Sequence, residues 1–241
     1  MKAEEILKTY DAFLNRNDGE SAGRYLINEV NAAVAAGDKS LELSLVNELI
    51  GHYRKAGDDG NCKKSIARAL SLIGETGLKD GVSKGTIYLN VATGYKSVGD
   101  TVSALKYYDL AEKLYAEYLP DGDVRLAGLL NNAAVSLAAD GQTAKAKEYY
   151  LKAASISKEA GRKEDAAVSY VNLAHLQDGT GDAEGAEKSL DIAYDLLDEV
   201  CERSGYYAFV CEKCAPSYAY FGFFLREKEL RRRAKGIYER A

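Results

Sequence analysis

Asparagine recurs through the middle of the chain at Asn90, Asn132 and Asn172, in steps of 42 and 40 residues. Its side chain carries both a donor and an acceptor, so a row of asparagines at a structural repeat distance can pair with the backbone of an extended peptide, whatever that peptide's side chains are. Glu48 takes the same place one step earlier, and Asn47 and Asn131 each stand one residue ahead of it. Moving on by threes and fours, Gly51, Thr93, Val135 and His175 share that helical face, followed by Lys55, Ser97, Ala139 and Gly179, with Arg54 and Lys96 beside them. The same amides have a second use. They can satisfy groups on an adjacent repeat and fix its packing without touching a ligand, and the sequence leaves both uses open.

Other candidate chemistry is sparser. Cys211 and Cys214 form a single CxxC whose thiols would share a helical face. Tetrahedral zinc needs four ligands, and Cys201 offers only a possible third unless two chains combine their pairs. The histidines, His52 and His175, lie far off in sequence. Cysteine is also a frequently buried small residue, so neither a metal nor redox chemistry is expected. Gly94-Tyr95-Lys96-Ser97 lacks the upstream glycines of a phosphate loop, and no Gly-rich dinucleotide turn or serine-nucleophile motif appears. His175 is a lone imidazole with no acid or nucleophile identifiable beside it. A chain without cofactor and without catalysis is expected. Arg231-Arg232-Arg233 could suggest nucleic acid, but Glu227, Glu229 and Glu239 interleave the charge, and cations near a helix C-terminus favour the helix itself.

These residues need elements to position them, and a second periodicity supplies them. Gly57, Gly99, Gly141 and Gly181 are spaced by 42, 42 and 40, and each is followed by Asp or Gln. Mostly apolar or small residues stand eight, seven and four positions before each glycine, and again five, nine and twelve after it. The last of these is alanine every time: Ala69, Ala111, Ala153 and Ala193. Offsets of three, four and seven on both sides of a glycine describe two amphipathic helices joined by a tight turn. Two antiparallel helices approach closely where side chains are small, and Tyr108 and Tyr150 then fill the adjoining space. Each period is a helical hairpin, and periods of this length signal a solenoid.

Over roughly Lys39–Glu199 this combination of small, aromatic, Gly and Ala positions resembles the tetratricopeptide repeat family. The repeats are longer than that family's usual unit of about 34 residues. In this they are similar to the variety in kinesin light chain and in peptide-sensing regulators of Gram-positive bacteria. Cys62 and Gln177 depart from the pattern, at the turn-packing alanine and the aromatic position. The resemblance implies an all-α, right-handed superhelical solenoid whose first helices line a concave groove. It further implies that Asn90, Asn132 and Asn172, with Asn47, Asn131 and His175 nearby, contact peptide backbone, and that Arg54 and Lys96 hold a carboxylate. The function it implies is a non-catalytic protein- or peptide-binding scaffold. The bacterial regulators usually carry an additional DNA-binding or effector helical module, and none is read before Lys39.

The remaining chain completes the array. Residues 1–38 read as a degenerate first hairpin, 39–203 as four regular repeats and 204–241 as a capping hairpin, all in one solenoid domain of 241 residues. Only two prolines interrupt it, and 46% hydrophobic residues are ample for a core. Pro120-Asp121-Gly122-Asp123 is the clearest break between hairpins. In the last hairpin Pro216 is expected to interrupt the first helix and the turn glycine to be missing. Eight aromatics fall within residues 206–224. That block either caps the array or forms a dimer or partner surface, which keeps open an alternative: a self-associating or regulatory protein acting through its C-terminal aromatic and basic segment. A net charge of −5 gives no electrostatic reason to bind nucleic acid or membrane. No apolar run is long enough for a signal peptide or a membrane span, and four cysteines are too few for a disulfide framework, so a cytoplasmic protein is expected.

Overall fold

The structure, a computed structural model, describes residues 3–16 and 18–240. Among the described residues it holds twelve α-helices and no strand. They fall into two compact units, Met1–Leu119 and Pro120–Ala241, divided at the break that Pro120 marks. The first contains α1 (Ala3–Leu14), α2 (Gly19–Ala36), α3 (Lys39–Ala56), α4 (Asp59–Thr76), α5 (Val82–Ser97) and α6 (Thr101–Tyr118). The second contains α7 (Val124–Ala139), α8 (Thr143–Glu159), α9 (Lys163–Gly179), α10 (Ala183–Asp198), α11 (Gly205–Tyr220) and α12 (Phe224–Tyr238). Consecutive helices pair as antiparallel hairpins, and within each unit the hairpins stack on one another.

The Gly-Asp step works by two devices in succession. At Gly57, Gly99, Gly141 and Gly181 the backbone is left-handed, which a glycine adopts without the Cβ penalty. There the glycine N–H and the next N–H close back onto the helix: Gly57 donates to Arg54 O, and Asp58 donates to Tyr53 O at 2.9 Å. Asp58, Asp100 and Asp182 then cap the second helix, their carboxylates accepting from the backbone N–H of Asn61, Ser103 and Gly185. Asp18 and Asp38 do the same for α2 and α3, and Asp123 for α7.

The last hairpin corrects two expectations. Gly222 is its turn glycine, 41 residues after Gly181 and left-handed at φ 83°, with Phe223 N–H donating to Tyr218 O at 2.7 Å. Pro216 does not interrupt α11, which runs through it. The N–H that proline lacks would have bonded the carbonyl of Glu212, and both residues are exposed, so water can take that carbonyl instead. Counted from Gly222, Ala234 takes the alanine offset and is buried like Ala69, Ala111, Ala153 and Ala193. Cys214, Ala215 and Tyr218 take the core offsets of the first helix and are likewise buried. The aromatic block is therefore divided: Tyr207 and Tyr218 are core, while Tyr206, Phe209, Tyr220 and Phe224 reach the surface.

Candidate functional site

In the second unit the first helices of the three hairpins, α7, α9 and α11, line a pocket of about 330 Å³. α7 contributes Val124, Ala127, Gly128 and Asn131, α9 contributes Asp165 and Val168, and α11 contributes Tyr206, Phe209, Val210 and Lys213, with Arg125 and Asn132 beside the α7 row and Arg162 at the mouth of α9. On α7 and α11 these are steps of three, four and seven, and on α9 a step of three, so one face of each is presented.

The pocket is apolar in its walls and cationic at its rim. Tyr206 and Phe209 stack at 6.3 Å and stay 42% and 53% exposed, large ring surfaces that remain partly open. Tyr206 donates its hydroxyl to the Asp165 carboxylate, Arg162 pairs with the same carboxylate at 3.1 Å, and the guanidinium lies 5.4 Å over the Tyr206 ring. Burial, then the bonded Asp165, push the Tyr206 hydroxyl up to about 12, so it stays protonated as a donor. Arg125 grips Asp123 at 2.6 Å, and its bonds hold that carboxyl down at about 2. Lys213 is exposed and makes no ion pair among the described residues. It stands nine residues before Gly222, the place taken elsewhere by Asn90, Asn132 and Asn172. Taking Gly222 as a marker in the sequence would have found it; nothing in the sequence singled out Arg125, Arg162, Tyr206 or Phe209.

The asparagines are tied to each other. Asn172 Nδ2 donates to Asn131 Oδ1 at 3.1 Å, joining α9 to α7, and Asn90 Nδ2 donates to Asn47 Oδ1 at 3.0 Å, joining α5 to α3. Asn132 Nδ2 bonds its own helix at Gly128 O. The amide NH₂ of Asn131 has no partner among the described residues, and it lines the pocket. His175 lies farther along α9, where Nε2 meets Ser217 Oγ at 2.8 Å and the ring packs against Tyr220 and Phe221. Burial holds its pKa below the ordinary histidine value, with Asp178 opposing. With Asn172 it borders a second cavity of about 400 Å³ between α7 and α9. Arg54, exposed, and Lys96, half-buried, belong to the first unit with Asn47 and Asn90.

All four cysteines are free, and three are buried. Burial pushes the Cys214 thiol up to about 12, so thiolate chemistry is suppressed there. No group of three or more His, Cys, Asp or Glu able to hold a metal occurs among the described residues. The arginine run is consumed internally: Arg231 pairs with Glu227 and Arg232 with Glu229, while Arg233 bonds Asp198, Glu229 and the hydroxyls of Tyr194 and Tyr207. No helix among the described residues is long and apolar enough to cross a membrane.

Left-handed glycine turns, small residues at the inter-helix contacts and stacked antiparallel hairpins make this a tetratricopeptide-like helical-repeat fold. No protein-family model matches the chain, and a search of curated proteins finds no match. Solved structures do match it. BtubC (BKLC) from P. vanneervenii is similar at 21% identity and a TM-score of 0.66, over 92% of this chain and 91% of that one. A putative kinesin light chain with nearly identical TPR-like repeats, from Podosopora anserina, aligns at 17% identity and 0.59, over 81% and 94%. A Rap protein complexed with competence and sporulation factor aligns at 14% identity and 0.65, over 99% of this chain and 64% of that one.

Proposed function

We infer that the chain is a non-catalytic protein-interaction scaffold, and that the α7–α9–α11 pocket seats an extended segment of a partner bearing an acidic side chain beside an apolar one. The observation that carries this reading is Lys213: an unpaired cation at the amide offset, lining one pocket with the partly exposed Tyr206 and Phe209 rings and with Asn131, whose NH₂ has no partner among the described residues. The rings offer the apolar contact, Lys213 the charge, and Asn131 a donor for a backbone carbonyl. A TPR-like neighbour held in complex with a factor supports the same use of the fold. Because the arginines of α12 are already paired, nucleic acid is not the partner proposed. Four unpaired cysteines suit the reducing cytoplasm, the compartment proposed.

Selection of a random peptide library on the full chain tests this. Enriched peptides are expected to share an acidic residue next to an aromatic or aliphatic one. Lys213→Glu should exchange the acidic preference for a basic one, and Phe209→Ala should weaken every selected peptide by roughly tenfold. Enrichment that neither substitution changes would move the site elsewhere.

A further inference from the structure

Among the described residues, three of the four most exposed large apolar side chains fall within six positions: Tyr220 at 67%, Phe224 at 61% and Leu225 at 84%. They sit at the turn between α11 and α12. Beside them is a cavity of about 530 Å³, walled by Phe223, Phe224, Leu225 and Arg226 from this turn and by Glu187 and Asp191 from α10. Projection and cavity belong to one patch. A partner presenting the same patch, turned by a twofold axis, sets each projection against the other's cavity, the condition for an isologous contact.

The charges around the patch favour a second copy over a different protein. Around the patch the acids and bases are paired: Arg226 with Asp191, Arg231 with Glu227, Arg232 with Glu229. Two beside the cavity are not. Glu187 lies one turn before Asp191 on α10, and Lys228 lies one turn beyond Phe224 and Leu225 on α12; both are exposed and neither makes an ion pair among the described residues. They are opposite in sign and flank the patch on two helices, so twofold pairing sets Glu187 of each copy against Lys228 of the other. We propose that two copies of this chain associate through the α11–α12 turn, Phe224 and Leu225 of each entering the cavity of the other, with reciprocal Glu187–Lys228 pairs fixing the register. This contact is separate from the α7–α9–α11 pocket and leaves it open to a partner segment.

Sedimentation of the full chain over a dilution series tests the proposal, with the far-ultraviolet spectrum confirming that each variant is folded. The wild type is expected to reach twice its 26.2 kDa chain mass as concentration rises. Leu225→Asp, a change at a side chain that supports no core, should abolish the dimer. Glu187→Lys or Lys228→Glu alone should weaken association by roughly tenfold, through two lost pairs and new repulsion. The two reversals together should restore it. A wild type that stays at one chain mass throughout, a Leu225→Asp dimer of unchanged strength, or a double reversal that fails to recover would each overturn the proposal.

Discussion

Asn131 carries two duties, because one side-chain amide has two ends. Its oxygen accepts from Asn172 on the next hairpin at 3.1 Å, while its NH₂ has no partner among the described residues and the side chain lines the pocket. The first duty contributes to stability and the second is the one proposed for binding, so substitutions should separate them. A half-buried amide pair of this kind contributes about 1 kcal/mol net. In a double-mutant cycle, Asn131→Ala and Asn172→Ala should each lower urea stability, with a coupling of roughly 0.5–1.5 kcal/mol. A coupling indistinguishable from zero would mean that the amide bond adds nothing. At the same scale the four thiols should divide by exposure. Cys62, Cys211 and Cys214 are buried and their thiols are raised by that burial, whereas Cys201 is exposed. A thiol reagent at pH 8 should therefore label Cys201 alone in the native protein and the other three only after unfolding. Fast native labelling at Cys211 or Cys214 would contradict the packing described for α11.

At the level of helices and turns, the sixth hairpin stands or falls with Gly222. Valine there must adopt a left-handed backbone that costs roughly 1–2 kcal/mol, and the Phe223 to Tyr218 closure strains with it. Gly222→Val should lower the urea midpoint accordingly, while Gly236→Ala, in the last turn of α12 with open space around it, should not lower it. Ala153→Leu tests the contact between paired helices, since Ala153 is fully buried and extra methylenes should cost about 1–3 kcal/mol by overpacking. The sequence made the four regular hairpins legible because turn, cap and contact residues all repeat at one period. It hid the sixth because Gly222 is followed by Phe223 in place of Asp or Gln, and because Pro216 has the look of a helix end when nothing shows that the carbonyl it orphans faces water. The amide row was legible as a row, but its pairing was not: Asn47 meets Asn90, and Asn131 meets Asn172, one residue out of register with the glycine count. The pocket was less legible still, because Tyr206, Phe209 and Lys213 lie in the aromatic block, where core and surface rings alternate and composition alone cannot sort them.

For the molecule as a whole, acid stability follows from which groups fold into sites that oppose or favour their charge. Both histidines have pKa values lowered from 6.5, His52 by burial and the charge of Lys55, and His175 by burial against the opposing Asp178. The unfolded chain thus takes up two protons that the folded chain resists. Their contribution is complete above about pH 6.5 and is lost as the pH falls below it. Glu75, Asp123 and Glu229 are held down at about 2, Glu75 by bonds from Ser71 and Lys39, Asp123 by Arg125, and Glu229 by Arg232 and Arg233. Their contribution is present above the unfolded values of 4.5 for Glu and 3.8 for Asp, and is lost between there and about 2. Glu48 runs the other way, its carboxyl raised by burial and by Asp11, so it partly offsets the others near pH 4.5. Melting temperature measured from pH 8 to pH 2 should hold level to about 6.5, decline gently below it, and fall steeply below about 4. Replacing His52 and His175 together by Gln should lower the plateau, because Gln keeps the polar contact to Tyr10 and Ser217 only in part, yet flatten the gentle decline. A decline that persists unchanged in the double variant would assign it to other groups, and a melting curve without a second fall below pH 4 would show that the paired carboxylates contribute nothing to the fold.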